Sequence, residues 1–524
     1  MVDAGAWDNQ LLSDHFSRCV QNFPDKIAVK SFSLNRDQVH ALTFSEMDGI
    51  ANQIACAFQR LGIGLGDVVS FQLENRWEFT AIALACERIG AVTNPLMPVL
   101  RERELSYMLS LSESKILIVP KSFRGFDFKS MAFELKSKIS TLEHVLVLDD
   151  TGENGFDSAV DNKGLLTNAQ KPSPNDLLQI LFTSGTTGEP KGVMHTPNTL
   201  FANIRECADR LAFNDDDVIF CPTPLAHQLG YLYGFLLPTL IGATAVLIDV
   251  WDPKIAADII EDERATFCMG ATPFLNDLAG LDGISQRNLL AFRLFISGGA
   301  PIPSALVSSA KKNLSAEIVS VWGMTEVLAV TTVCLGDPEA KVAGTDGVPT
   351  PHTSVRIVDH QGETLPVGQE GFLETSGATV CVGYLKRPEL FKVNDEIWFD
   401  TGDLARMDED GYIRITGRAK DIIIRGGENI PVVEIEGILY RHEAIAQVAI
   451  VAIPDERLGE KACAYVQLKP GNTLTLEDIS KFLETEKVAK VYHPERLELV
   501  EAMPMTATGK VQKYELRNLA RSLH

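Results

Sequence analysis

"LLQILFTSGTTGEPKG", Leu177–Gly192, is an apolar run that breaks into glycines and hydroxyl side chains. The apolar half has the length and composition of a buried strand. In the second half Gly185, Gly188 and Gly192 alternate with Thr183, Ser184, Thr186 and Thr187, and Pro190 restricts the chain just before Lys191. Glycine permits positive φ and close backbone approach, so successive N–H groups turn toward one anion. The hydroxyls and a mobile ammonium add donors. The loop predicts a polyphosphate guest, and the lysine and leading strand weigh against a plain surface turn. It is not a Walker loop, because no Gly-Lys-Ser/Thr stands where one would be needed.

Outward from this loop, helical and strand patterns alternate. "FSEMDGIANQIACAFQRLGIG" is an amphipathic helix closed by glycine, and "DVVSFQL" follows as a strand. "WEFTAIALACERIGA" is again helical, while "SKILIVP", "HVLVLDD", "TAVLIDV" and "AFRLFISGG" are buried strands. This alternation predicts an α/β fold of βα-built, largely parallel sheets. Ligands in such folds sit at the carboxyl ends of strands, where the hydroxyl-rich loop and "SGGAP" (Ser297–Pro301) both fall. From about residue 345 short strands and turns replace helices. After Asp421 a compact α+β segment begins. The expected organisation is a large N-terminal domain, 1–420, with a small β-rich subdomain at about 345–420, and a mobile C-terminal lid domain, 421–524.

The chain has 524 residues, 45% hydrophobic and 23% charged, an ordinary globular composition. A net charge of −22 argues against a general nucleic-acid binder. Nine cysteines without a CxxC pair read as reduced, buried thiols of a cytoplasmic protein. The N-terminus "MVDAGAWDNQ" lacks the basic region of a signal peptide. "GYLYGFLLPTLIGATAVLI", Gly230–Ile248, is long and uncharged, but Gly234, Pro238 and Gly242 interrupt it. It reads as a buried helix followed by a strand, not as a membrane span. His195 and His227 are too isolated to suggest zinc.

The phosphate loop closely resembles the signature loop of the adenylate-forming superfamily, which includes acyl-CoA synthetases, peptide-synthetase adenylation domains and beetle luciferases. Further motifs match in order. "VWGMTEVLA" resembles the family's Tyr-Gly-x-Thr-Glu, "WFDTGDLA" its Thr-Gly-Asp, and "MPMTATGKVQKYELR" its terminal Pro-x-Thr-x-x-Gly-Lys. The resemblance implies an N-terminal AMP-binding domain. In it, Thr183, Ser184, Gly185, Thr186, Thr187, Gly188 and Lys191 would bind ATP phosphates. Gly298, Gly299, Ala300, Trp322 and Gly323 would line the adenine, and Asp403 and Arg418 the ribose. Thr325 would contact the α-phosphate, and Glu326 would help hold Mg²⁺. Lys510, with Thr506 and Gly509 shaping its turn, would be the adenylation lysine. Asp421 would be the hinge, and Gly426 and Gly427 would line the coenzyme A channel. His227 would gate the site, in a pocket for the acyl group with Gly230, Phe274, Gly298 and Met324. Taken without the motif, Thr325–Glu326 is explained equally well as a helix N-cap. Trp322 stands where tyrosine is usual, and Pro197 where many relatives have histidine.

The implied function is an ATP-dependent acyl-CoA ligase working through acyl-AMP, with ATP, Mg²⁺ and coenzyme A. "NPLMPVLRERELSYML" and "GGENIPVVEIE" resemble cyclohexanecarboxylate-CoA ligases and related short- to medium-chain acyl-CoA synthetases. The partner expected is a small carboxylic acid, with no nucleic acid and no membrane span. A stand-alone ligase loading a carrier protein, a luciferase-like oxidase and a non-catalytic nucleotide-binding protein are the alternatives. The sequence leaves the oligomeric state open, a homodimer included.

Overall fold

The computed structural model describes residues 1–522 apart from 153, 161–170, 184–188, 300, 301, 303, 392, 395, 396, 426, 427, 456 and 506–509. Two large sheets dominate. A nine-stranded sheet runs from Val348–Pro349 at one edge to Gln38–Thr43 at the other, and a seven-stranded sheet from Gly383–Tyr384 to His144–Leu148. The central pairings are parallel in both. One continuous core joins them through buried helices, Phe44–Arg60, Trp77–Arg88 and Pro197–Arg210 among them. Phe44–Arg60 begins where Thr43 and Glu46 exchange side-chain and backbone hydrogen bonds, a capping box, and buries Phe44, Met47, Ala51, Ile54 and Phe58 at helical spacing. Each of the larger side chains, fully buried, contributes about 1.5–3 kcal/mol.

The sheets are largely parallel, as expected, and turn antiparallel toward their edges, where it matters. Strand Gln179–Thr183 is antiparallel to Lys191–His195, with Thr183 opposite Lys191. The strands on either side of the phosphate loop are therefore antiparallel neighbours. Strand Glu317–Met324 likewise pairs antiparallel with Leu328–Thr332. An apolar run announces a strand but not its neighbours, so periodicity could not separate the two arrangements.

Two strands inside 345–420 belong to the large sheets: Val348–Pro349 pairs with Leu328–Thr332, and Gly383–Tyr384 with Lys191–His195. The others, Thr353–Val358, Gly371–Gly377, Phe399–Met407 and Ile413–Arg418, form an antiparallel four-stranded sheet. Between Arg418 and Ile423 the chain passes to a five-stranded sheet whose longest strands are Ile445–Asp455 and Gly459–Leu468. Helices Val432–Leu439, Leu476–Thr485 and Lys513–Ser522 accompany it.

Gly230–Ile248 is not one helix. It passes through a π-helical segment, Tyr231–Leu236, and a short α-helix, Leu237–Ile241, into strand Thr244–Ile248. Among the described residues no helix is long and apolar enough to cross a membrane. Pro197 occupies the first helical turn after the N-cap Thr196, where a missing N–H leaves no intrahelical bond unmade.

Candidate active site

Thr325 and Glu326 lie in a turn, residues 325–327, between two antiparallel strands, so the helix N-cap reading is replaced by a hairpin. Gly323 makes that hairpin possible, since a Cβ there would lie 1.9 Å from the Leu328 carbonyl oxygen. Three donors hold the turn. His195 Nε2 reaches the Thr325 carbonyl at 2.7 Å. The Cys381 amide reaches the Glu326 carbonyl at 2.8 Å, and the Tyr384 hydroxyl reaches Glu326 Oε1 at 2.7 Å. Lys191 Nζ sits 4.8 Å from the centre of the Tyr384 ring.

Asp403 forms the opposite wall and is buried. Its Oδ2 accepts from the Trp322 indole N–H at 3.0 Å, and Arg418 Nε lies 2.5 Å from Oδ1. Asp403 and Arg418 face each other across paired strands, which explains the contact. Burial raises the Asp403 pKa against the pull of Arg418, Trp322 and Lys510. The tryptophan departure thus has a structural role: its N–H fixes a carboxylate that a phenol at this position would have to reach differently.

Lys510 arrives from the C-terminal segment, just before Val511, which forms a β-bridge with Met505. A Cβ on Gly299 would lie 3.1 Å from Lys510 Cε and 3.6 Å from Nζ, so the lysine lies against that glycine. Burial and the Arg418 guanidinium lower the Lys510 pKa, and the carboxylates of Asp403 and Glu326 oppose the shift. His227 shares this environment: burial, then the Lys510 charge, pushes its pKa down to about 3. The Leu229 amide donates to His227 Nδ1 at 3.3 Å, so the neutral ring carries its proton on Nε2. The loop that delivers His227 is fastened by buried Asn75, which donates to the Cys221 and Thr223 carbonyls and accepts from the Leu225 amide at 2.7 Å.

Lys510, Asp403, Arg418, Glu326, His227, Gly299 and Trp322 therefore converge, and Lys191 joins through Tyr384. The expected acyl-pocket residues are less unified. Gly298 faces Val321 and Met269, with a hypothetical Cβ 2.5 Å from Val321 Cγ1. Phe274 makes an edge contact with Trp251 at 4.8 Å. Met324 packs on the cluster of Val327, Val330 and Phe399. Gly230 lets the helix approach the preceding loop, since a Cβ would meet the Pro224 carbonyl oxygen at 2.1 Å. Its demonstrated part is this close packing. Asp421 is no freely solvated acid, for Arg517 Nη1 lies 2.5 Å from its Oδ1. Thr183 ends its strand at the loop. Ser184, Gly185, Thr186, Thr187, Gly188, Ala300, Gly426, Gly427, Thr506 and Gly509 lie outside the described residues.

Comparison with known proteins gives this geometry a family. Residues 16–385 match the model of the AMP-binding enzyme family, and residues 434–510 that of the AMP-binding enzyme C-terminal domain. The chain belongs to the AMP-binding enzymes. It is 38% identical over 520 residues to the medium-chain fatty-acid–CoA ligase of Escherichia coli (strain K12), covering 98% of this chain and 91% of that one. It is 28% identical over 526 residues to 2,3-dihydroxybenzoate-AMP ligase of Bacillus subtilis (strain 168), covering 98% and 94%. Among solved structures, ATP-bound MatB from Rhodopseudomonas palustris superposes with a TM-score of 0.88 at 27% identity, covering 98% of this chain and 100% of that one. The apo form of MatB gives 0.76.

The chain is an AMP-forming acid–thiol ligase, of a family that uses ATP, Mg²⁺ and coenzyme A. The residues fit such ligands. Ser297 Oγ is buried without a hydrogen-bond partner, which suits a hydroxyl-rich guest. Among the described residues no three His, Cys, Asp or Glu side chains gather as a metal site. A lone carboxylate such as Glu326 suits Mg²⁺, which takes much of its coordination from phosphate oxygens and water.

Sequence reasoning missed His195 as a support, having weighed it only as a metal ligand. Burial pushes its pKa down to about 4, against an ordinary 6.5. Between those values the unfolded chain binds a proton that the folded chain refuses, so stability is lost as pH falls, by about 3 kcal/mol in all. His195→Gln keeps a donor for the Thr325 carbonyl and removes the titration. It should be less stable than the parent at pH 7 but lose less on acidification from pH 6.5 to 4.5. Thermal melts across that range check this, and parallel curves would remove His195 from the acid sensitivity.

Proposed function

We propose that this protein is an acyl-CoA ligase for a short- to medium-chain or alicyclic carboxylic acid, forming the acyl-AMP and then the acyl-CoA, with release of pyrophosphate and AMP. The observation that carries the reading is Lys510 lying against Gly299 amid Asp403, Arg418, Glu326 and His227. In this reading a carboxylate and an α-phosphate meet there. A carboxylate is a poor acyl donor, and adenylation supplies its leaving group.

In this reading Lys510 holds the negative charge that gathers as the carboxylate oxygen attacks the α-phosphorus. Asp403 accepts from the ribose hydroxyls, and Arg418 opposes the burial that disfavours the charge of that carboxylate. Lys191 and the hydroxyl-rich loop steer the departing pyrophosphate. Thr325 contacts the α-phosphate. Glu326 would hold Mg²⁺, whose chemistry is to neutralise phosphate charge. His227, neutral with its proton on Nε2, borders the acyl group without adding a second cation. Apolar Met269, Phe274 and Trp251 favour an aliphatic or alicyclic chain, and the Escherichia coli medium-chain ligase supports that choice. For the thiol step the segment after Asp421 rotates, withdrawing Lys510 and presenting Gly426–Gly427 to coenzyme A. The better superposition on ATP-bound than on apo MatB favours the adenylation pose here.

A panel of carboxylic acids in pyrophosphate–ATP exchange tests the first half. Exchange should be strongest with aliphatic or alicyclic acids of medium size. Strongest exchange with aryl acids would transfer the protein to the aryl ligases, and no exchange with any acid would sink the enzyme reading. Adding coenzyme A or a phosphopantetheinyl carrier to preformed acyl-AMP then identifies the acceptor.

A further inference from the structure

Tyr384 enters no motif and lies far along the chain from the groups it touches. It is placed by sheet pairing: Gly383–Tyr384 runs antiparallel to Lys191–His195, with Tyr384 opposite Val193. Val382 donates to the Met194 carbonyl at 3.0 Å and Leu385 to the Gly192 carbonyl at 2.8 Å, so the backbone on either side is fixed. The buried ring then does two things. Its hydroxyl commits Glu326 Oε1 at 2.7 Å, and its face carries the Lys191 ammonium at 4.8 Å. The same segment also holds the Glu326 backbone, through the Cys381 amide.

We propose that Tyr384 is a positioning residue that sets the Glu326 carboxylate and the Lys191 ammonium at one spacing, so that cation and polyphosphate are received together. This rests on the reading of Glu326 as the Mg²⁺ ligand and Lys191 as the pyrophosphate lysine. A glutamate has three rotatable side-chain bonds, and a charge-assisted hydrogen bond to one oxygen fixes the plane of its carboxylate. A lysine over an aromatic face is confined by the ring's electrostatics yet keeps its N–H groups for an anion. The hydroxyl therefore serves the metal and the ring serves the phosphate, which makes the two roles separable by substitution.

The test uses the full-length enzyme with a non-hydrolysable α,β-methylene ATP. Mn²⁺ affinity is read by electron paramagnetic resonance, and pyrophosphate affinity by calorimetry in chelator without metal. Tyr384→Phe should weaken Mn²⁺ binding about 10-fold, the size of one hydrogen bond to a charged group, with pyrophosphate affinity unchanged. Tyr384→Leu should weaken both. Unchanged Mn²⁺ affinity in Tyr384→Phe overturns the proposal, as does equal pyrophosphate affinity in a folded Tyr384→Leu. The phenylalanine variant is nearly isosteric, so its arm decides the matter even where leucine fails to fold. Glu326→Gln separates the premises: Mn²⁺ binding unaffected by that change would overturn the metal reading and the Tyr384 role with it, whereas loss in Glu326→Gln alone would overturn only the latter.

Discussion

Lys510→Ala is expected to lower acid-dependent pyrophosphate–ATP exchange by about 10²- to 10³-fold, the range for removing one preorganised group that stabilises developing charge. The ammonium lies against Gly299 with two carboxylates and a guanidinium around it. Such a group was oriented before the reaction, and water entering the vacated space would have to reorganise as charge develops. Consumption of supplied acyl-AMP by coenzyme A should stay within a few-fold of the parent, since the proposed second pose withdraws the lysine. Measuring the half-reactions separately isolates the effect. Equal losses in both would contradict the assignment of Lys510 to one pose. Because burial and Arg418 lower its pKa, the parent should also lose exchange on the alkaline side earlier than an ordinary lysine would require.

The reach of the sequence was uneven for physical reasons. The α/β class was legible because the central strands, such as Ile116–Pro120, are buried throughout and read as short apolar runs between helices. Lys510, Glu326 and Asp403 were singled out by ordered motifs, and the fold brings these three together. What stayed hidden depends on which strands become neighbours. Nothing near "VGYLKRP" announces that Tyr384 pairs beside Val193 and meets Glu326. His195 was judged alone, although its worth lies in a carbonyl contributed from Thr325. The apolar run before the phosphate loop was legible as a strand, but not that its neighbour would be the antiparallel Lys191–His195. The resemblance alone put Gly230 in the acyl pocket, and the structure adds close packing against the Pro224 carbonyl, which no motif announces.

Asp403→Asn tests the electrostatics that join the walls of the site. The side chain keeps its shape, and losing a charge that burial disfavours offsets part of the cost of facing a donor with an amide hydrogen, so the fold should survive with a modestly lowered melting temperature. Function should not. The carboxylate accepts from the Trp322 indole and neighbours the Arg418 guanidinium, and an amide presents hydrogens to one of these donors. Losing a charged acceptor for the ribose hydroxyls should reduce kcat/KM for ATP about 10- to 100-fold, as for other hydrogen bonds to charged groups. A second effect distinguishes Asp403 from a simple binding residue. Its negative charge raises the Lys510 pKa, so removing it leaves burial and Arg418 less opposed, and the ammonium loses its proton at lower pH. The alkaline limb of the pH–rate profile should therefore move toward neutrality in Asp403→Asn. Measured from pH 6 to 10 at saturating acid, an unmoved limb with weakened ATP binding would confine Asp403 to the ribose, and an unchanged kcat/KM would remove it from the site.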